Sequence, residues 1–296
     1  MSNVSKRTVL VTGTSSGIGR ATALHLAQSG VSVFAACRRL EDGASLARET
    51  HGLIIPLIMD VADIESIARG RQLIENATNG AGLDGLVNNA GIGMSAPVEA
   101  VDLERVRRIF DVNVFGQLAM IQVFLPLLRR RSGRIVNVGS VGAKITIPFG
   151  GALCASKAAF ESFSDALRME LHPFGIQVCV VQPGSIRTPA VEKTLGGVDT
   201  EIESWPPEAR SRYGAMFRIF SQRATARENR GSVPDVVALA IYHALTSDRP
   251  KIRYRAGKDA TLLTTLPRIL PDRILDKIRL RMLGLPLLFG QNREAG

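Results

Sequence analysis

Short apolar runs alternate with helix-period segments along most of the chain. Thr8 to Val11 is an apolar run, followed by helical spacing from Ile18 to Ser29. Val31 to Ala36 predicts a second strand, Glu41 to Thr50 a helix, and Leu53 to Met59 a third strand. The pattern continues with a helix over Ile64 to Asn76, a strand at Gly85 to Val87, and a long helix over Leu103 to Leu128. Arg134 to Val138 is the fifth predicted strand, Leu153 to Leu171 a helix, and Gln177 to Val181 the sixth strand. Such alternation predicts an α/β chain with a doubly wound parallel sheet, because each crossover helix must return across a face of the sheet.

The alternation breaks between Pro183 and Gly231. Trp205, Pro206 and Pro207 precede a predicted helix carrying Tyr213, Met216, Phe217 and Phe220. An insertion beside the C-terminal ends of parallel strands can cover a ligand. It can also be a surface helical pair whose apolar face is core. A packed helix resumes over Pro234 to Leu245. Near the end, Ile274, Leu275, Ile278 and Met282 share a helical side, and Arg273, Asp276, Lys277, Arg279 and Arg281 are expected largely to face elsewhere. Leu285 to Phe289 continues the apolar character. The expected organisation is one domain over residues 1–260 with a lid over about 185–231, then a basic amphipathic extension over 261–296.

Composition narrows the class. With 45% hydrophobic and 22% charged residues, the 296-residue chain is of ordinary globular type and long enough for a large core. Met1 to Arg7 is polar and leads straight into the first strand, and no run reaches the ~20 apolar residues of a spanning helix. Cys37, Cys154 and Cys179 are widely spaced, which speaks against a disulfide framework or a metal site and fits a reducing, cytoplasmic setting. The net charge of +10 is uneven: residues 249–296 hold 11 basic and 4 acidic residues. Without a nucleic-acid motif or aromatic interleaving, no nucleic-acid partner is expected. The basic amphipathic tail is compatible with core or subunit packing, with capping a pocket, or with peripheral contact to a membrane surface.

The most informative segment joins the first strand to the first helix: Thr12-Gly13-Thr14-Ser15-Ser16-Gly17-Ile18-Gly19. Gly13 permits a tight turn, Gly17 a close approach of backbone to a pyrophosphate, and Gly19 close packing of helix on strand. The helix N-terminus then offers free N–H groups and partial positive charge to phosphate. Together with the alternating elements, this predicts a Rossmann-like dinucleotide site. The second strand ends Ala36-Cys37-Arg38-Arg39, without the acid that holds a ribose 2′-hydroxyl. Arg38 can grip a 2′-phosphate, with Arg20 and Ser15 near enough to help, so NADP(H) is the expected cofactor. The alternative is a solvated arginine pair.

These residues, with those that follow, resemble the short-chain dehydrogenase/reductase family from about Thr8 to Pro189. The resemblance implies adenine contacts at Asp60 and Val61, and further cofactor contacts at Asn89, Ala90 and Gly91 within Asn88-Asn89-Ala90-Gly91. It implies active-site roles for Asn113, Ser140 and Lys157, with Lys157 also holding the nicotinamide ribose. Pro183, Gly184 and Thr188 match the segment that touches the nicotinamide. The implied activity is interconversion of alcohol and ketone, and the extension looks like that of members acting on hydrophobic alcohols. A small hydrophobic substrate, free or carrier-bound, and a homo-oligomer are the expected partners.

One position departs from the pattern. The family's tyrosine lies four residues before the lysine, and that position is Leu153, 13 residues after Ser140. Leucine has no proton to give, and a general acid or base is worth ~10²–10⁴ in rate. Four readings stay open. The protein transfers hydride with another proton source, such as a water held by Lys157 and Asn113, a lid residue or the substrate. The scaffold catalyses a redox-neutral cyclisation, isomerisation or elimination. Leu153 is an engineered, inactivating substitution. Or the chain is a non-catalytic dinucleotide-binding scaffold.

Overall fold

The computed structural model describes residues 7–50 and 52–287. Most of the polar N-terminal lead, and Leu288 and Phe289 of the tail, lie outside the described residues. Seven parallel strands form one sheet: β1 (Thr8–Thr12), β2 (Ser32–Cys37), β3 (Ile54–Ile58), β4 (Gly85–Asn88), β5 (Arg134–Val138), β6 (Gln177–Pro183) and β7 (Arg253–Ala256). Their order is β3-β2-β1-β4-β5-β6-β7. The six strands expected from the apolar pattern are present, and β7 is an addition. It is an edge strand of four residues, Arg-Tyr-Arg-Ala, whose arginines hide the apolar signal while Tyr254 and Ala256 are buried.

Both faces of the sheet are covered, which is why its strands read as nearly unbroken apolar runs. Alternate side chains serve opposite faces. Val9 and Val11 of β1 pack with Leu26 of helix α1 (Gly17–Gln28) and Ile241 of α10 (Asp235–Thr246). Leu10 points the other way, into a core with Phe124 of α5 (Gly116–Arg129) and Phe160 of α6 (Gly151–Leu171). Each such fully buried Leu or Phe contributes roughly 1.5–3 kcal/mol. Helix α2 spans Leu40–Glu49, and α3 spans Ile64–Ala77. Asp63 caps α3 by accepting from the N–H groups of Glu65 (2.9 Å) and Ser66 (3.2 Å).

The expected long helix is present as α4 (Leu103–Phe110) running through a π-helical turn, Asp111–Phe115, into α5. Leu103–Arg129 is, by length and composition, apolar enough to cross a membrane, contrary to the reading that no such run exists. Its apolarity serves the core: 56% of its most apolar window is buried. The segment after β6 folds as α7 (Pro189–Leu195), α8 (Val198–Glu203) and α9 (Pro207–Asn229). Trp205, Phe217 and Phe220 form a third apolar cluster with Met94, Leu283 and Leu285. The tail forms α11 (Ala260–Ile269) and α12 (Asp272–Met282).

Candidate active site

The strand order reverses between β1 and β4, and a crevice opens beyond the C-terminal ends of these strands. Thr12 is its hub. The hydroxyl accepts from the backbone N–H groups of Asn89 (2.9 Å) and Ala90 (3.0 Å) and donates to the Val87 carbonyl (3.3 Å). Asn89 returns its amide to the carbonyls of Thr12 (2.9 Å) and Gly13 (3.3 Å). On the other side, the Thr14 hydroxyl donates to the Ala36 carbonyl at 3.0 Å. The turn is therefore fixed to both neighbouring strands before any ligand arrives. Gly13 has φ +70°, a left-handed backbone that favours glycine. A Cβ on Gly19 would lie 2.2 Å from the Gly13 carbonyl oxygen, so helix and turn can meet only there without a side chain.

This cradle fits a dinucleotide. Ser16 precedes α1 in extended backbone and makes no side-chain capping bond, leaving the first N–H groups of the helix for an anion. Gly13, Ser15, Ser16, Gly17, Ile18 and Gly19 line one cavity of about 700 Å³, together with Arg38, Asp60, Val61, Asn89, Ala90 and Gly91. The same cavity continues past Ser140, Leu153, Lys157, Pro183, Gly184 and Thr188. One sequence expectation changes. Arg20 is paired with Glu49, and it does not line the cavity: one helical residue past Gly19, its side chain is turned to α2. Arg38 does line it, whereas Arg39 is held by Asp42 at 2.9 Å.

At the far end of the crevice, Lys157 Nζ donates to the Val138 carbonyl at 2.9 Å, which leaves two of its three protons without an acceptor among the described residues. Burial pushes its pKa down from 10.5 to about 8, against a smaller upward pull from Glu161. Ser140 accepts from the Gly142 N–H at 2.9 Å, which keeps its own hydroxyl proton available. Leu153 lies one helical turn before Lys157 on α6 and faces Gly93.

Asn113 is placed differently. It sits fully buried in the π-helical turn, outside the cavity lining. Its amide oxygen accepts from the Ile92 N–H (2.9 Å), and its amide nitrogen donates to the Ile92 carbonyl (2.9 Å) and the Ser156 hydroxyl (3.0 Å). With those bonds made, its side chain holds the segment after β4. A π-helical turn interrupts the regular ladder of an α-helix and often marks a functional position.

Several contributors carry no sequence signal that points to the site. Glu161, one turn after Lys157, is buried and accepts from Gln182 Nε2 (2.9 and 3.1 Å), with Lys144 Nζ at 3.2 Å. It thus ties α6 to the Ser140 loop and to the strand entering Pro183-Gly184. Asp259 accepts from the Ser185 N–H (3.0 Å), the Ser185 hydroxyl (2.8 Å) and Arg227 (2.6 Å). Burial raises its pKa, but these hydrogen bonds outweigh burial and leave it lowered. Glu228 beside it is raised by burial.

The far wall comes from the lid and tail. Val191 and Leu195 of α7, Phe220 of α9, Leu263 and Leu266 of α11, and Leu275, Ile278, Arg279 and Met282 of α12 line the cavity. Trp205, expected to cover it, instead sits behind Phe217 in the core of the lid, with ring centroids 5.0 Å apart. The expectation for α12 shifts by one position. Ile274 is 47% exposed, while Arg279, four residues after buried Leu275 and hence on its face, turns inward.

A parallel sheet with a phosphate-binding turn at its switch point, and a buried lysine facing the same cavity, define a dinucleotide-dependent oxidoreductase. The short chain dehydrogenase family model matches residues 7–197, and the chain belongs to that family of NAD(P)-dependent oxidoreductases. It is similar to short-chain dehydrogenase/reductase family 9C member 7 of Homo sapiens, 35% identical over 292 residues (96% of this chain and 92% of that protein). Retinol dehydrogenase 16 of Homo sapiens is 34% identical over 284 residues, 94% and 89% of the two chains. Among solved structures, a short-chain dehydrogenase from Streptomyces avermitilis superposes with a TM-score of 0.73 at 29% identity, covering 95% and 96%. A short chain dehydrogenase from Burkholderia cenocepacia J2315 in complex with NADP has a TM-score of 0.67 at 25% identity, covering 95% and 98%.

Proposed function

We propose that this protein interconverts an alcohol and a ketone on a small hydrophobic substrate, using NADP(H), at a site where Leu153 takes the place of the family's tyrosine. The observation that carries the reading is one continuous cavity, lined at one end by the Gly13–Gly19 turn and at the other by Ser140, Lys157 and an apolar lid. The turn and the N-terminus of α1 would hold the pyrophosphate, Asp60 and Val61 the adenine side, Arg38 a 2′-phosphate, and Lys157, Pro183, Gly184 and Thr188 the nicotinamide side. When bound, the cofactor supplies or accepts hydride. The kinship with a retinol dehydrogenase and with an NADP-bound dehydrogenase supports both the hydrophobic substrate and the cofactor.

Without a phenol at residue 153, the chain's own groups must hold the proton. Ser140 has a free hydroxyl proton to orient a carbonyl oxygen, but its ordinary acidity is too low to give that proton up at neutral pH. Lys157 Nζ carries two protons that have no acceptor among the described residues, and burial makes it a stronger acid than a free lysine, with a pKa of about 8. Lys157 is thus the proton source in this reading, and reduction should fade as pH rises through about 8. The apolar lid and tail would displace water around a bound substrate, which would strengthen each of these interactions.

The test is a titration with NADPH, followed by absorbance of the reduced nicotinamide with a panel of apolar ketones, using the parent beside Leu153→Tyr. Tight NADPH binding, slow parent turnover and a rise of ~10²-fold or more in Leu153→Tyr support the reading. Binding without oxidation by either form would replace it with a redox-neutral reaction on the same scaffold. Absence of binding would leave a non-catalytic scaffold.

A further inference from the structure

Arg279 stands apart from the other cations of the tail. Its helix, α12, turns Leu275, Ile278 and Met282 to the cavity, and Arg279 lies among them on the same wall. Its side chain is only 17% exposed. Nη1 reaches Asp276 Oδ1 at 3.2 Å, on the half-exposed side of the helix. Nε is shut off from solvent and has no hydrogen-bond partner among the described residues. A buried N–H on a cation that donates to nothing is costly, and such groups are nearly always satisfied by a partner or a ligand.

The geometry of the group says which ligand. With Nη1 committed to Asp276, the remaining edge of the guanidinium is Nε with Nη2. Nη2 has no hydrogen-bond partner among the described residues, and a small shift that uncovers the closed-off Nε completes an edge of two parallel N–H donors that match the two oxygens of a carboxylate. Leu195, Phe220, Leu263 and Leu266 line the same cavity, whose wall also carries Lys193, Arg227 and Glu228. The phosphate-binding turn is a separate part of the cavity and has its own donors in the N-terminus of α1, so Arg279 is not needed there. Its positive charge also acts on the Cys154 thiol, next to Leu153, which opposes the rise that burial imposes on that thiol.

We propose that Arg279 anchors the carboxylate of an amphiphilic substrate, an apolar body ending in one acid group, whose hydrocarbon part lies against the lid and α11. This deepens the reading of the cavity as the substrate site and rests on it. A neutral alcohol of the same length would leave the Nε donor unpaired and bind more weakly.

The test is calorimetric titration of the full chain, saturated with NADPH, with decanoate, its methyl ester and decan-1-ol. The expected result is decanoate binding about 10–100-fold more tightly than the two neutral ligands, as a charge-assisted bidentate pair requires. Arg279→Gln should abolish that preference while leaving the affinity for NADPH unchanged, and Arg279→Lys should keep only part of it, as a point charge without the fork. Equal binding of acid and neutral ligands by the parent, a preference that survives in Arg279→Gln, or no binding of decanoate overturns the proposal. Loss of NADPH binding by the parent would instead overturn the cofactor assignment, and the two failures are read from separate titrations.

Discussion

Replacing Lys157 by methionine should stabilise the ligand-free protein near neutral pH, and the gain should shrink at alkaline pH. The lysine is buried, it donates to the Val138 carbonyl, and its pKa falls from 10.5 to about 8. One pKa unit is roughly 1.4 kcal/mol, so the charged ammonium costs the folded state on the order of 3 kcal/mol below pH 8. Methionine fills a similar volume without charge and forfeits one hydrogen bond, worth about 1 kcal/mol. The folded pKa is depressed, so between about 8 and 10.5 the unfolded chain keeps a proton that the folded chain has released. Parent stability therefore rises with pH through that window relative to Lys157→Met, whereas the hydrogen-bond loss is the same throughout. By linkage, the advantage of Lys157→Met at about pH 7 should exceed that at about pH 9.5 by roughly 2 kcal/mol. Urea unfolding of both proteins at the two pH values measures the difference, because other titrating groups cancel between them. An advantage independent of pH would show that Lys157 titrates as an ordinary solvated lysine, and would remove it as the proton source.

Other consequences are directly measurable. Arg38→Asp should weaken NADPH binding by about 10-fold or more and favour NADH, as a carboxylate replaces the cation at the 2′-phosphate position; unchanged selectivity in paired titrations would remove Arg38 from that role. Glu161→Leu should destabilise the fold by about 2–4 kcal/mol, since Lys144 and Gln182 lose their shared acceptor, and a loss under 1 kcal/mol by urea unfolding would count against the bridging role. Phe115 (59% exposed), Phe163 (47%) and Met169 (61%) leave apolar surface on the π-helical turn before α5 and on α6, so sedimentation should show a dimer or larger assembly, and a clean monomer would contradict it.

The sheet and its phosphate turn were legible because their physics is local. Six strands announced themselves as apolar runs, since a strand buried on both faces has no polar side to show. Gly13 and Gly19 stood out because a turn with positive φ and a close helix contact each admit little else. Ser140, Leu153 and Lys157 were picked out by the family resemblance, and the helix they imply is present, with Leu153 and Lys157 one turn apart. The edge strand β7 was hidden by its arginines, and its place depends on pairing with β6, over 70 residues away in sequence.

What only the tertiary structure decided is which groups meet. Sequence made Asn113 a site residue, but that its side chain also bonds the Ile92 backbone follows only from the packing of the π-helical turn. Sequence put Arg20 near the cofactor and Arg279 among the outward charges, and the packing reversed both. A residue's helical face is periodic and can be read from the chain. The direction that face points is set by long-range contacts, here the closure of α12 over a cavity whose phosphate-binding end lies more than 250 residues earlier.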